Sequence, residues 1–533
     1  MAYSKRRNYN PKPIAKLPPI KLENPSKYQG AIFNYITNDS GHLVIEATAG
    51  SGKTTTIVVA CQSIPTTKNV AFLAFNKSIA TELQRRVPDH CKASTFHSAG
   101  YGACIKAFGR MRVEAGKTRN TLKAHLNNYY SSDDRDLFRL LAPPISNLIS
   151  LAKAHLVLSG EAIVKEWFGL ADRFGIDVDF SKIDRAEFEE ILSDIYEKVI
   201  NQTSTVDFDD QIFFPIAKNL PVKQYDVVMV DESQDMNPAR HELALRMLKP
   251  NGRMIIVGDS SQAIYGFTGA DTSSMSTMRD KLAAIGKVET LPLSICYRCA
   301  KSVVAKAKEF CPSIEASESS PEGTVQTIKY DKFIETVASG DYVLCRTSAP
   351  TIGGCLALIR EGRKAKVLGR ELVKGLVTIL KKADKIEAAN MSDKLSDYKA
   401  IQTDKMKGEA SHAKIMALQD KIDCLLAVLG HAIQREDWSE SNAVELIEET
   451  LESIFTDDES NPGVTFSTIH KAKGLESDNI FIMHPELLPH PMASQPWEQV
   501  QEKNLAFVAA TRAKLNLYYV DMGDKTKKKK KKK

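Results

Sequence analysis

The sequence contains no apolar run of about 20 residues, the length a helix needs to cross a bilayer, which excludes a helical membrane span. A secretory signal is missing too. The opening "MAYSKRRNYNPKPIAKLPP" is basic and proline-rich without an apolar centre, so residues 1–24 read as a flexible basic leader. No short-period repeat is present, which argues against a solenoid or propeller. The nine cysteines are odd in number and scattered from Cys61 to Cys424 without framework spacing. That excludes a disulfide scaffold and indicates reduced thiols in a cytosol-like compartment. Basic charge is scarcer than the total suggests. The net +6 includes eight lysines in the terminal "KTKKKKKKK" (525–533), and subtracting them leaves about −2 for the body. Residues 523–533 read as a disordered lysine tail, either merely solvated or a sequence-blind anchor on phosphate backbone. Any case for nucleic acid in the body must come from particular residues.

What is present fits a soluble globular chain of two to four domains, at 533 residues with 43% hydrophobic content. Short apolar runs, each followed by loop and helix signals, predict buried strands of parallel sheets. They are "HLVIEA" (42–47), "VAFLAF" (70–75), "YDVVMV" (225–230), "MIIVG" (254–258), "YVLC" (342–345), "VTFSTI" (464–469) and "NIFIM" (479–483). Strands alternating with helices predict an α/β fold. Two stretches break the rhythm. Residues 103–205 read as mostly helical, with Pro143 and Pro144 marking a break, and residues 377–460 are charged and helix-favouring. In the latter, Val444, Ile447, Leu451 and Ile454 share one helical face.

"VIEATAGSGKTTTIVVA" places a loop of small residues between an apolar strand and a helix start. Backbone N–H groups of such a loop, with the positive end of the helix, cradle phosphate oxygens. Ala49, Gly50, Ser51, Gly52, Lys53, Thr54 and Thr55 are the candidate nucleotide-binding residues. Lys53 reaches the β/γ-phosphates, and the Thr54 hydroxyl ligates Mg²⁺. The strict motif has glycine where this chain has Ala47. "YDVVMVDESQD" then delivers Asp231 and Glu232 at the end of a buried strand. Asp231 suits the Mg²⁺ shell, and Glu232 suits the base that orients and deprotonates an attacking water. ATP hydrolysis is the leading reaction class, with ATP and Mg²⁺ as the required small molecules.

"GDSSQAIYGFTGA" (258–270), with "ATAGSGKT" and "DESQD", resembles motif III of superfamily 1 DNA helicases of the UvrD/Rep group. "SKYQGAIFNYI", "LAFNKSIATEL" (73–83), "STFHSAGY" (94–101), "LPLSICYRCA", "TIHKAKGLE" (468–476) and "NLAFVAATRAK" (504–514) resemble the family's other motifs, in its order. The resemblance implies two RecA-like parallel-sheet P-loop cores in tandem, each with a mainly helical insertion. The first core spans 25–102 and 206–290, with 103–205 inserted; the second spans 291–376 and 462–522, with 377–461 inserted. It further implies that Gln29 reads adenine, Gln262 senses the γ-phosphate, and Arg298 and Arg512 are arginine fingers. Tyr297 stacks on adenine, and Glu476 contacts the nucleotide sugar. The implied activity is an ATP-dependent 3′→5′ translocase and helicase on single-stranded DNA and its junctions with duplex, in repair, replication or recombination. A translocase that strips proteins from DNA, or a non-motor ATP-dependent switch, stays open.

A strand track needs aromatic faces for bases and polar groups for phosphates. By resemblance its residues are Phe75, Asn76, Lys77, Thr95, His97, Tyr265, Phe267, Thr468 and His470. Phe96 reads equally as core, and His470 equally as a structural histidine. The second insertion is short for the family, and the chain ends soon after its last motif, leaving no expected room for an attached nuclease. A compact phage or accessory helicase fits, placed in the cytoplasm (the host's for a phage) or in a eukaryotic nucleus. No membrane partner is expected, and a monomer is compatible. Cys296 and Cys299 lack the further ligand pair that zinc needs and read as small scaffold residues around Tyr297 and Arg298.

Overall fold

The computed structural model describes residues 16–129, 135–158, 163–174, 182–264, 273–405, 412–456, 463–491 and 496–523, with isolated positions at 176, 178, 180 and 493. The lysine tail, the first fifteen residues, Tyr265 and Phe267 lie outside the described residues.

Two wholly parallel sheets organise the chain. The first runs, edge to edge, Cys91–Thr95, Val70–Ala74, Tyr225–Val230, Leu248–Gly258, His42–Ala47, Val288–Leu293. Its register sets Val70 beside Val227 and Leu43 beside Ile255. The second runs Thr324–Lys329, Ala513–Asp521, Ser477–Met483, Tyr342–Cys345, Val464–Thr468, Ala365–Leu368, Phe455–Thr456. The central strands are apolar because helices cover both faces. Phe72, Leu73, Val228 and Ile255 are all fully buried in the first sheet, and Val343, Phe466 and Phe481 in the second. Each such side chain contributes about 1.5–3 kcal/mol by leaving water. In both sheets every strand's C-terminal end lies on one edge, where α/β proteins place their ligands.

Helices fill the two stretches that broke the strand rhythm. Lys117–Tyr129, Arg135–His155, Ile163–Phe174 and Arg185–Asn201 enclose their own apolar cluster around Trp167, Phe188 and Tyr196. Glu371–Ala383, Met391–Lys405, His412–Ala432 and Ala443–Ile454 pack beside the second sheet, with Ile447, Leu451 and Ile454 buried. The expected break at Pro143 and Pro144 is corrected: both lie inside the continuous helix Arg135–His155. The prolines remove hydrogen bonds locally. The buried stripe of Leu141, Ala142, Ile145, Leu148 and Ile149 holds the helix through them. Of the expected flexible leader, the described residues from Lys16 on are placed against the first core. Leu17 N–H donates to the Arg85 carbonyl at 2.8 Å, and Lys16 Nζ to the Val87 carbonyl at 2.7 Å, so this segment lies along the first core. Among the described residues no helix is long and apolar enough to cross a membrane.

Candidate nucleotide site and nucleic-acid face

Three neighbouring strands of the first sheet end at one point. His42–Ala47 leads into the loop 48–52 and the helix Lys53–Gln62. That helix starts at Gly52, which has φ 75° and supplies no side-chain cap, so the first-turn N–H groups face the loop unclaimed by a cap. Gly50 has φ 67°, and a Cβ there would sit 2.6 Å from Arg298 Cβ and 2.8 Å from Cys296 Sγ. Only glycine permits both the conformation and this approach of the second core. Ala49 is fully buried among Cys296, Cys299 and Ile264, while Ser51 Oγ closes the loop onto the Thr48 carbonyl at 2.8 Å.

Thr54 Oγ1 donates to Asp231 Oδ2 at 3.0 Å. Burial first, then the charge of Glu232, pushes the Asp231 carboxyl up to about 6. A hydroxyl and a carboxylate beside a phosphate loop suit Mg²⁺, a hard cation that prefers one or two protein oxygens plus phosphates and water. No group of three or more metal-ligating side chains occurs among the described residues. Glu232 has φ 53°, a left-handed conformation that costs energy for a non-glycine residue and aims its side chain at the loop. Its Oε2 lies 3.9 Å from Lys53 Nζ. Burial works to raise the Glu232 pKa, but Lys53 and then Lys473 hold it below the usual carboxylate range. Burial likewise works to lower that of Lys53, and Glu232, Asp259 and Asp231 reverse it. The two adjacent acids are thus driven apart, leaving Glu232 ionised.

The third strand end delivers Asp259 and Gln262. Gln262 Nε2 donates to Asp259 Oδ2 at 2.6 Å, Asp259 N–H to Gln234 Oε1 at 3.0 Å, and Gln234 Nε2 to Glu232 Oε2 at 2.5 Å. A continuous polar chain therefore joins Gln262 to Glu232. Lys473, from the second core, donates to Asp235 Oδ2 at 2.7 Å and to the Gln262 carbonyl at 2.8 Å. Asn504 Nδ2 adds a bond to the Ala263 carbonyl at 2.9 Å. The sequence reading missed Gln234, Asp235, Asp259, Lys473 and Asn504 as site residues, although all but Gln234 and Asn504 are charged residues inside motifs it quoted.

The remaining expected groups come from the second core. Tyr297 N–H donates to the Gly50 carbonyl at 2.9 Å, and its ring is 47% exposed at the mouth of the loop. Arg298 pairs with Glu476 at 2.6 Å, and Lys514 holds the other Glu476 oxygen at 3.0 Å. Arg512 is buried and donates to the Val508 and Leu475 carbonyls at 3.1 and 3.2 Å. Gln29 is buried; its oxygen accepts from Ser26 N–H at 2.9 Å and its amide donates to Thr56 Oγ1 at 3.1 Å, tying it to the phosphate-loop helix. Cys296 and Cys299 are buried with no disulfide, and Cys299 N–H donates to Cys296 Sγ at 3.4 Å.

Phe75, Asn76, Lys77, Thr95 and His97 follow two adjacent strand ends of the first core. Asn76 and Thr95 cap the helices Lys77–Arg86 and Phe96–Phe108. The Arg240 guanidinium lies 4.9 Å over the Phe75 ring. His97 meets Phe208 edge-on at 6.2 Å, and Phe208 is 55% exposed. Sequence reading missed Phe208; an aromatic set among acids in "VDFDD" was the available signal. Phe96 is buried, which makes it core. Thr468 and His470 follow the strand Val464–Thr468 of the second core. Burial first, then Arg240 for His97 and Arg346 for His470, holds both imidazoles down at about 4. Both are neutral at pH 7. The unfolded chain then binds more protons between about pH 6.5 and 4, so this part of the stability is full above 6.5 and lost as pH falls to 4. His470→Gln is expected to flatten the pH slope of the thermal midpoint across that window, read by calorimetry.

Comparison with known proteins adds the family. The UvrD/REP helicase N-terminal domain matches residues 29–283, and the UvrD-like helicase C-terminal domain matches residues 187–522. The chain is 22% identical to the F-box DNA helicase protein 1 of Schizosaccharomyces pombe over 90% of its own length and 55% of the relative's. It is 27% identical to the ATP-dependent DNA helicase PcrA of Bacillus subtilis over 51% of this chain and 38% of that one. PcrA of Staphylococcus aureus is 24% identical over 91% of this chain and 81% of its own. The chain thus spans about half or less of the first two relatives and about four-fifths of the third. With its two RecA-like cores, the chain belongs to the UvrD-like helicase family.

Proposed function

We propose that the protein is an ATP-dependent translocase and helicase that moves 3′ to 5′ on single-stranded DNA. The observation that carries this reading is the split site. Lys53, Asp231 and Glu232 belong to the first core, Arg298 and Arg512 to the second, and Lys473 bridges the two at Asp235 and Gln262. One chain holds both halves, so a monomer suffices.

In this account the loop 48–54 binds the ATP phosphates and Tyr297 covers the base. Thr54 and Asp231 would hold Mg²⁺, which would supply positive charge to the phosphates. Glu232 takes the proton from the water that attacks the γ-phosphate, while Arg298 and Arg512 meet the charge that develops there. Loss of the γ-phosphate breaks the contacts that closed the cleft. The change passes through Gln262, whose backbone carbonyl Lys473 holds, and shifts Phe75 and His97 relative to Thr468 and His470. A strand bound across both faces would be moved by this cycle. In this reading the first core comprises 25–102 and 206–290, and the second comprises 291–376 and 462–522. The 3′→5′ sense rests on the motif around His470 to Glu476.

Partial duplexes with a 3′ or a 5′ single-stranded tail test it. Unwinding from the 3′ tail is expected, and unwinding confined to the 5′ tail reverses the polarity. Release of streptavidin from biotinylated strands without unwinding assigns protein stripping instead.

A further inference from the structure

We propose that a buried quartet, Lys117, Lys153, Asp207 and Asp210, positions Phe208 as a base-stacking platform and ties single-strand affinity to the seating of the helical insertion; this rests on the DNA-motor reading above. Lys117 Nζ pairs with Asp210 Oδ2 at 2.7 Å, and Lys153 Nζ with Asp207 Oδ2 at 2.6 Å and Asp210 Oδ1 at 2.8 Å. All four side chains are at least nine-tenths buried. Lys117 opens the helix Lys117–Tyr129, and Lys153 lies in the last turn of Arg135–His155. Asp207 and Asp210 form the capping box of Phe208–Ala217, in which Asp210 N–H donates to Asp207 Oδ1 at 2.7 Å. Phe208 is the first residue of that helix.

The helix joins two cores. Its Ile212 and Ile216 pack with Leu73 and Val228 of the first sheet and with Phe96 of the helix Phe96–Phe108, whereas Phe213 and Phe214 pack with Leu141 and Phe188 of the insertion. Gly100 brings Phe96–Phe108 so close that a Cβ would overlap the Gln211 carbonyl. The start of the helix is therefore fixed on one side against His97 and on the other by two lysines from the insertion. Buried charges of this kind add little net stability over apolar packing, and the role assigned to them in this proposal is to specify one geometry. Here that geometry includes the rotation of an exposed aromatic ring set edge-on against the strand-end residue His97.

A double-mutant cycle tests this on the full chain, reading the oligo-dT concentration that half-saturates ATPase stimulation. Lys117→Met with Asp210→Asn removes one charge of each sign and leaves the Lys153–Asp207 pair. It is expected to raise DNA half-saturation about tenfold, with ATP half-saturation within about twofold. In a Phe208→Ala background the same pair of changes should add less than about twofold, because the effect runs through that ring. Should the double variant fail to fold, Asp207→Asn keeps the helix cap and weakens only the ion pair, with the same expectation. Equal tenfold losses in both backgrounds, or a lowered thermal midpoint with unchanged DNA half-saturation, overturn the proposal. Unchanged half-saturation in Phe208→Ala overturns it while leaving the motor reading intact. A wild type that oligo-dT does not stimulate overturns both.

Discussion

Arg512→Ala is expected to lower ATP turnover by about 10³-fold or more with little change in nucleotide binding, the range found when an arginine finger is removed. Arg512 is 2% exposed and donates to two backbone carbonyls and, at 3.3 Å, to Thr511 Oγ1. Burial first, then the charge of Arg298, lowers its pKa to about 10, so it stays cationic at pH 7. A buried cation held beside the cleft, within the field of Glu232, is worth most when negative charge grows on the transferred phosphoryl group. Arg512→Lys should not restore activity, because a point charge cannot keep the three anchoring bonds of the planar fork. Steady-state ATPase at saturating single strand, beside binding of a fluorescent nucleotide, checks both. Turnover within tenfold of wild type in Arg512→Ala would show that this arginine does not meet the transition state.

Glu232→Gln is expected to cost about 10²–10⁴-fold in turnover, the usual contribution of a general base. The change keeps side-chain length and the left-handed backbone, and removes only the charge that Lys53 and Lys473 stabilise. ATP affinity should therefore survive, giving a protein that binds ATP and single strand but turns over almost none of it. A single-turnover quench experiment separates these steps. A normal chemical step in Glu232→Gln would pass the role of base to another group, and Asp259, buried and bonded to Gln262, is the nearest candidate in the chain of polar contacts.

The sequence was most legible where chemistry fixes spacing. The loop before Lys53 and the acids after Tyr225–Val230 needed only a strand, a turn and a helix start, all local. The partners across the cleft were not legible in that way: Asp235 and Lys473 stand 238 residues apart, and nothing local marks them as a pair. The same applies to Lys117 with Asp210 and Lys153 with Asp207, which look like solvated charges until the helices enclose them. Most central strands announced themselves as apolar runs, whereas Ala365–Leu368 and Ala513–Asp521, each second from an edge of the second sheet, did not. Edge strands such as Cys91–Thr95 and Val288–Leu293 did not, because half their side chains face outward. Pro143 and Pro144 misled for a related reason, since their local cost is outweighed by a stripe of buried leucine and isoleucine that only packing reveals. Cys296 and Cys299 proved to be buried groups behind Gly50, while Tyr297 and Arg298 between them meet the Gly50 carbonyl and Glu476.

The central claim is that nucleotide chemistry at the cleft is coupled to a single strand lying across both cores. Its most direct test is the ATPase rate of the wild type with and without oligo-dT, with Lys53→Ala as the control for contaminating hydrolysis. The account predicts stimulation of about tenfold or more by single strand, and no activity above background in Lys53→Ala under either condition. Hydrolysis that depends on Lys53 but runs at the same rate with and without the strand would contradict it.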